Sequence, residues 1–145
     1  MVLSNSRDVP FKHASPEQFY GVFKSHAYLL RDTCRDVVSK IYLDDDTQTW
    51  EAAPGHHKWI QFRSPSHELY QIKDEVENVN ETSKTISYKI KEGPILANIS
   101  GFALEVKNSN VAEWTISYND TYPEEYFNLL ASITKGVDKH FANEN

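Results

Sequence analysis

The chain is short of cysteine, methionine and glycine, with one Cys, one Met and five Gly among 145 residues. A lone thiol, Cys34, cannot close an internal disulfide, so stability has to come from a core, and a reducing, cytoplasmic setting is expected. No stretch approaches the roughly 20 apolar residues that span a bilayer. The opening Met1 to Asp8 also lacks the apolar run of a secretory leader. No membrane span is expected, and Asn80, Asn98 and Asn119, though each heads an Asn-x-Ser/Thr triplet, are not expected to carry glycans.

Positive charge is in deficit too. Fifteen basic against 21 acidic residues leave a formal charge of -6, a field that repels phosphate backbones and anionic lipid. Nucleic acid is therefore not expected as a partner. The six histidines follow no ligand spacing: His56 and His57 are adjacent, so in a strand they face opposite ways, and His67 stands across a turn. Neither a metal nor a cofactor is expected, because Cys-x-x-Cys, P-loop, Gly-x-Gly-x-x-Gly and Gly-x-Ser-x-Gly patterns are all missing. Cys34, despite Arg31 and Arg35 nearby, is expected to be an inert thiol.

What remains is an ordinary single domain, residues 1–145, long enough to bury roughly 68% of its unfolded surface. A short strand over Asp8 to Lys12 precedes Ser15-Pro16-Glu17-Gln18, where Ser15 caps, Pro16 suits the first turn and Gln18 closes a capping box. The apolar stripe from Phe19 breaks near Ser25 to Ala27, which predicts two short helices. Strands are expected over Val37 to Leu43, Trp59 to Phe62 (closed by Ser64-Pro65-Ser66), Glu68 to Val79, Ile86 to Ile90, Ile95 to Val106 and Val111 to Tyr118. Asp44-Asp45-Asp46, Asn80 to Lys84, Glu92-Gly93-Pro94 and Lys107 to Asn110 are the turns between them. The charged run Lys73 to Glu77 is expected to face solvent; an acid–base role there requires an inward carboxylate beside a tyrosine or lysine.

From Pro123 to about Phe141 the residues Tyr126, Leu130, Ile133, Val137 and Phe141 recur at three and four, with Phe127 and Leu129 widening the stripe. A helix with one dry face must lie on something apolar, and the sheet is the partner of matching size. Accumulated twist predicts that such a sheet curls around it.

This order resembles the Bet v 1-like superfamily, in particular its major latex protein branch within pathogenesis-related class 10. The likeness is carried by Ser87-Tyr88-Lys89-Ile90-Lys91-Glu92-Gly93, by Glu113 to Tyr118, by Leu130 to His140 and by the block Asp74 to Ser83. It implies an α+β, helix-grip (START-like) fold: a curved seven-stranded antiparallel sheet around a long C-terminal helix, with two short helices and a large internal cavity. It also implies a hydrophobic or amphipathic plant metabolite as partner, bound or carried, or else turned over by a cyclase or isomerase working in the same hollow. The family's glycine-rich loop is not matched, since residues 44–58 hold only Gly55, beside three aspartates, so no anion-cradling role is carried over.

Eighteen aromatic residues then gain a use. Tyr88, Phe102, Trp114, Tyr118, Tyr126, Phe127 and Leu130 are the expected ligand-binding residues, with tyrosine hydroxyls orienting the ligand. Asn98 and Ser100 share strand parity with Phe102 and are expected to face inward unless a bulge near Gly101 turns them. His26 and His57 are candidates for a cavity mouth. A monomer or weak dimer is expected.

Overall fold

The computed structural model describes residues 2–63 and 70–142. In chain order it contains β1 (Leu3–Pro10), α1 (Pro16–Ser25), a 3-10 turn (Ala27–Leu29), α2 (Leu30–Thr33), β2 (Val38–Leu43), β3 (His57–Phe62) and β4 (Gln71–Asn80). There follow β5 (Thr85–Glu92), a second 3-10 turn (Pro94–Ala97), β6 (Ile99–Lys107), β7 (Val111–Tyr118) and α3 (Glu124–His140). All seven strands form one antiparallel sheet in the order β1-β7-β6-β5-β4-β3-β2. No helix among the described residues is long and apolar enough to cross a membrane.

Local chemistry explains the elements. The Ser15 hydroxyl accepts from the Gln18 amide at 3.1 Å while the Gln18 side chain accepts from the Ser15 amide at 2.9 Å, the reciprocal cap that starts α1. Helix α3 carries Glu124 and Glu125 in its first turn and Lys139 and His140 in its last, each sign at the helix end that favours it. Its buried face runs through Tyr126, Phe127, Leu130, Ile133, Thr134 and Val137. In β7, Ala112, Trp114, Ile116 and Tyr118 are buried and alternate with partly exposed residues, as the two-residue period predicts.

Some boundaries differ from expectation. The first strand begins at Leu3 and not Asp8, because pairing from Leu3 with Tyr118 to Pro10 with Val111 uses main-chain groups and tolerates polar Asn5 and Ser6 on an edge. The strand expected from Ile95 starts at Ile99, since Gly93 and Pro94 turn the chain into a 3-10 segment first. The turn at Ser64-Pro65-Ser66, His67, and the expected start of β4 at Glu68 lie outside the described residues.

The expected curvature is the main correction. The seven-stranded sheet and the long terminal helix are present, but the sheet is not strongly curled: it is open, with β1 and β2 as separate edges that do not pair. Helix α1 approaches β6, α2 approaches β2, and α3 packs chiefly on α2 and, among the strands, on β7 and β1. Twist therefore passes from strand to strand without wrapping the terminal helix.

The N-terminal segment is fastened to α3 by one buried carboxylate. Asp138 accepts backbone N–H bonds from Lys12 at 3.0 Å and from His13 and Ala14 at 2.8 Å each. Hydrogen bonds to a charged group contribute about 1.5–3 kcal/mol apiece. This contact holds the β1–α1 connection against the C-terminal half of the helix.

Candidate functional site

Between the inner face of the sheet and helices α1 to α3 lies a chamber of about 30 Å³. Its wall is aromatic: Tyr88 stacks on Phe102 at 4.6 Å between ring centroids, and Phe102 meets Tyr126 edge-on at 5.7 Å. Phe23 meets Trp114 edge-on at 5.6 Å. Leu30, Leu130 and Ile133 close the helical side. A second void of about 20 Å³ lies under the β2–β3 loop and shares Phe23, Lys58, Asp74 and Tyr88 with the first.

Among the described residues the hollow between sheet and helices is far smaller than the large cavity implied by the resemblance. Ligand sites usually measure about 300–1,000 Å³, and rings stacked on one another occupy that space here. Larger hollows among the described residues are open to the surface, such as the groove of about 770 Å³ between α2 and α3.

Of the seven candidate wall residues, Tyr88, Phe102, Trp114, Tyr126 and Leu130 surround the inner chamber. Tyr118 and Phe127 lie towards β1: the Tyr118 hydroxyl donates to Asn5 Oδ1 at 2.8 Å, and the Arg7 guanidinium sits 4.9 Å from the centre of the Phe127 ring. Asn98 and Ser100 do not face the chamber. A register shift between Ile99 and Gly101 turns Ser100 towards the Ser117 carbonyl, and Asn98 instead binds the Asp120 and Thr121 backbone. His26 contacts Tyr28 at the loop side, 5.8 Å between ring centroids.

The chamber's most informative residues are two that sequence reading assigned to no site. Lys58 and Asp74 are direct partners across the β3–β4 ladder, and both side chains point inward. The Lys58 ammonium donates to both Asp74 carboxylate oxygens at 2.8 Å and stands 4.4 Å from the centre of the Tyr88 ring. Asp74 is only 2% exposed, and this burial raises its pKa although Lys58 pulls the other way. The signal was present as parity: Asp74 shares its strand face with Ile72 and Val76, and Lys58 with Ile60 and Phe62. The charged strand therefore does not face solvent throughout, and Asp74 meets the stated condition for acid–base work.

Tyr88 and Tyr126 are 4% and 2% exposed. Burial first, and the Asp74 carboxylate second, push both phenols well above their ordinary pKa, so both stay protonated. Among the described residues the one buried side-chain atom without a hydrogen-bond partner is the Tyr20 hydroxyl oxygen, while the Tyr88 and Tyr126 rings line the chamber. Cys34 is buried, its thiol is pushed up to about 11 by desolvation, and it donates to the Ile133 carbonyl at 3.4 Å, the geometry of an inert cysteine.

The β2–β3 loop forms the outer wall. The Glu51 carboxylate bonds to the Lys24 ammonium and to the Ser25 hydroxyl, the Ala52 amide donates to the Lys24 carbonyl at 2.6 Å, and Trp50 meets Tyr28 edge-on at 5.7 Å. Gly55 serves as a turn residue, with φ +92° and its amide on the Val76 carbonyl at 2.9 Å. His57 lies between Asp46, 3.4 Å from Nδ1, and Glu75, 2.6 Å from Nε2. Asp44, Asp46 and His57 bring ligand atoms within 4.8 Å of one another. These groups are already bonded, Asp44 to Lys73 at 3.0 Å and to the Trp59 indole at 3.2 Å, and His57 to Glu75.

Burial alone would lower the His57 pKa, but Glu75 and Asp46 outweigh it and hold the imidazole above its ordinary value of about 6.5. A raised folded-state pKa gives stability that is complete below the unfolded value and disappears as pH rises through the folded one. The stability difference between the native protein and His57→Gln is accordingly expected to be largest in acid and to shrink above that pKa. Urea midpoints measured across pH check it, and a pH-independent difference would remove His57 from this role.

The chain matches the model of the pathogenesis-related protein Bet v 1 family over residues 1–144. No curated protein matches it by sequence. Among solved structures, ginseng major latex-like protein 151 from Panax ginseng superposes with a TM-score of 0.81 at 16% identity, covering 97% of this chain and 98% of that one. Norcoclaurine synthase from Thalictrum flavum, in complex with dopamine and hydroxybenzaldehyde, superposes with a TM-score of 0.69 at 15% identity, covering 100% of this chain and 88% of that one. At those identities the structures establish a shared fold, and the family match extends along nearly the whole chain. The protein belongs to the Bet v 1 family of pathogenesis-related proteins, with the fold of its major latex-like branch.

Proposed function

We propose that the protein binds and carries a hydrophobic or amphipathic small molecule in the chamber between sheet and helices, as a cytoplasmic monomer or weak dimer. The observation that carries this reading is an inner void walled by Tyr88, Phe102, Trp114, Tyr126 and Leu130, with two buried phenols and the Lys58–Asp74 pair on an otherwise apolar wall. A phenol at a void can donate and accept one hydrogen bond, so Tyr88 and Tyr126 can orient a ligand's polar end. Phe102, Trp114 and Leu130 supply the apolar contact, at roughly 25 cal/mol per Å² removed from water. Because the resting chamber is small, loading requires the β2–β3 loop and Phe23 to shift so that the two voids join. The fold shared with a ginseng major latex-like protein fits this reading.

Nile red, a neutral apolar dye, tests it by fluorescence titration of the native protein. Saturable uptake is expected, with at least tenfold weaker binding in a folded Leu130→Phe variant whose larger side chain fills the void. Absence of uptake by the native protein sinks the reading.

A second reading is an enzyme, a cyclase or isomerase that moves a proton with Asp74, Lys58 or Tyr88. It is favoured by the buried Lys58–Asp74 pair and by the fold shared with norcoclaurine synthase. Turnover of a reactive terpenoid or alkaloid intermediate, lost in Asp74→Asn, would distinguish it from carriage.

A further inference from the structure

The Lys58–Asp74 pair gives the chamber a property that its apolar wall does not. The two side chains form a net-neutral unit where the inner and outer voids meet, since both line each of them. The ammonium is engaged in three directions, two by the Asp74 oxygens at 2.8 Å and one by the Tyr88 ring at 4.4 Å. A ligand carboxylate arriving there would have to take Lys58 from Asp74 and leave a buried anion unpaired. A ligand ammonium would meet the mirror problem, competing with Lys58 for Asp74. Both carry the penalty of an uncompensated charge out of water. Protonated phenols beside the pair can each donate and accept one hydrogen bond, so their natural partner is a neutral polar group.

We propose, resting on the carrier reading, that Lys58 and Asp74 make the site charge-selective: it takes a neutral ring-bearing ligand with a hydroxyl or carbonyl at its polar end, and it rejects the same skeleton bearing a carboxylate or an ammonium. The hydroxyls of Tyr88 and Tyr126 hold the polar end, while the ion pair sets the electrostatic limit. Removing one charge inverts the preference. Asp74→Asn keeps the shape but leaves Lys58 unpaired, so that an anion becomes the better guest.

Three probes of one shape test this at pH 7: 4-propylphenol, 4-propylbenzoate and 4-propylbenzylammonium, with affinities read from amide chemical-shift titrations. The native protein is expected to bind the phenol at least tenfold more tightly than either ion. In Asp74→Asn, checked for folding by circular dichroism, the order is expected to reverse, with the benzoate bound more tightly than the phenol. Binding of either ion by the native protein within threefold of the phenol overturns the proposal, as does an unchanged neutral preference in the folded variant. The native comparison stands alone if the variant fails to fold. Nile red uptake without preference for the phenol removes the selectivity and leaves the carrier reading intact; failure of Nile red and of all three probes removes both.

Discussion

Trp114→Ala is expected to destabilise the protein by about 3–5 kcal/mol, the range for deleting a large aromatic side chain from a core. Trp114 is 1% exposed and joins the three layers of the molecule. Its indole N–H donates to the Thr134 hydroxyl on α3 at 2.8 Å, and that hydroxyl donates to the Leu130 carbonyl at 2.9 Å. Its ring meets Phe23 of α1 and Phe102 of β6. Trp114→Phe retains most of the ring and loses the hydrogen bond, and is expected to cost nearer 1–2 kcal/mol. Urea unfolding monitored by circular dichroism checks both, with an unchanged denaturant slope showing that the denatured ensemble is not responsible. Losing the indole also widens the chamber, so folded Trp114→Ala should take up larger apolar guests than the native protein. Equal stability of the two variants would mean that packing around the indole contributes little.

Gly93→Ala is expected to cost about 3 kcal/mol or more, combining backbone strain with a close contact. Gly93 has φ +129°, a conformation that side-chain-bearing residues rarely adopt, and an added Cβ would stand 2.5 Å from the Gln71 carbonyl oxygen of β4. A backbone atom cannot swing aside as a flexible side chain can. Gly55→Ala is the control: φ is +92°, but no atom lies within 4 Å of the added carbon, so only the conformational cost, about 1–2 kcal/mol, remains. Thermal unfolding of the two variants should separate contact from conformation. Similar losses at both positions would show that the approach of β4 to the β5–β6 turn is readily relieved.

Much of this architecture was legible in the chain because its signals are local. Ser15 and Gln18 announce a cap, alternation from Val111 to Tyr118 announces a strand, and Pro123 with two glutamates announces the terminal helix. The shape of the sheet was not legible, because twist states what an isolated sheet favours and not what α1 and α2 leave room for. The site was half legible. Strand parity assigned Tyr88, Phe102 and Trp114, and helical spacing Tyr126 and Leu130, to the interior, but aromatic content alone does not distinguish a lined cavity from rings packed on one another. Lys58 and Asp74 escaped because charge argues for solvent when each strand is considered singly. Only the register that sets one opposite the other supplies the compensation that permits burial.

The Asp138 clamp bears on how such a chain is made. Its bonds to Lys12, His13 and Ala14 bridge separations of 126, 125 and 124 positions, and β1 likewise awaits β7 for its only neighbour in the sheet. Translation delivers the amides well before the carboxylate, at about 5–20 residues per second. Until α3 has been made, the amides of residues 12–14 have no carboxylate to dock on, so closure is a long-range step of the kind that slows folding. The nascent polypeptide therefore spends seconds with an unprotected strand edge, the interval in which a chaperone has most to contribute.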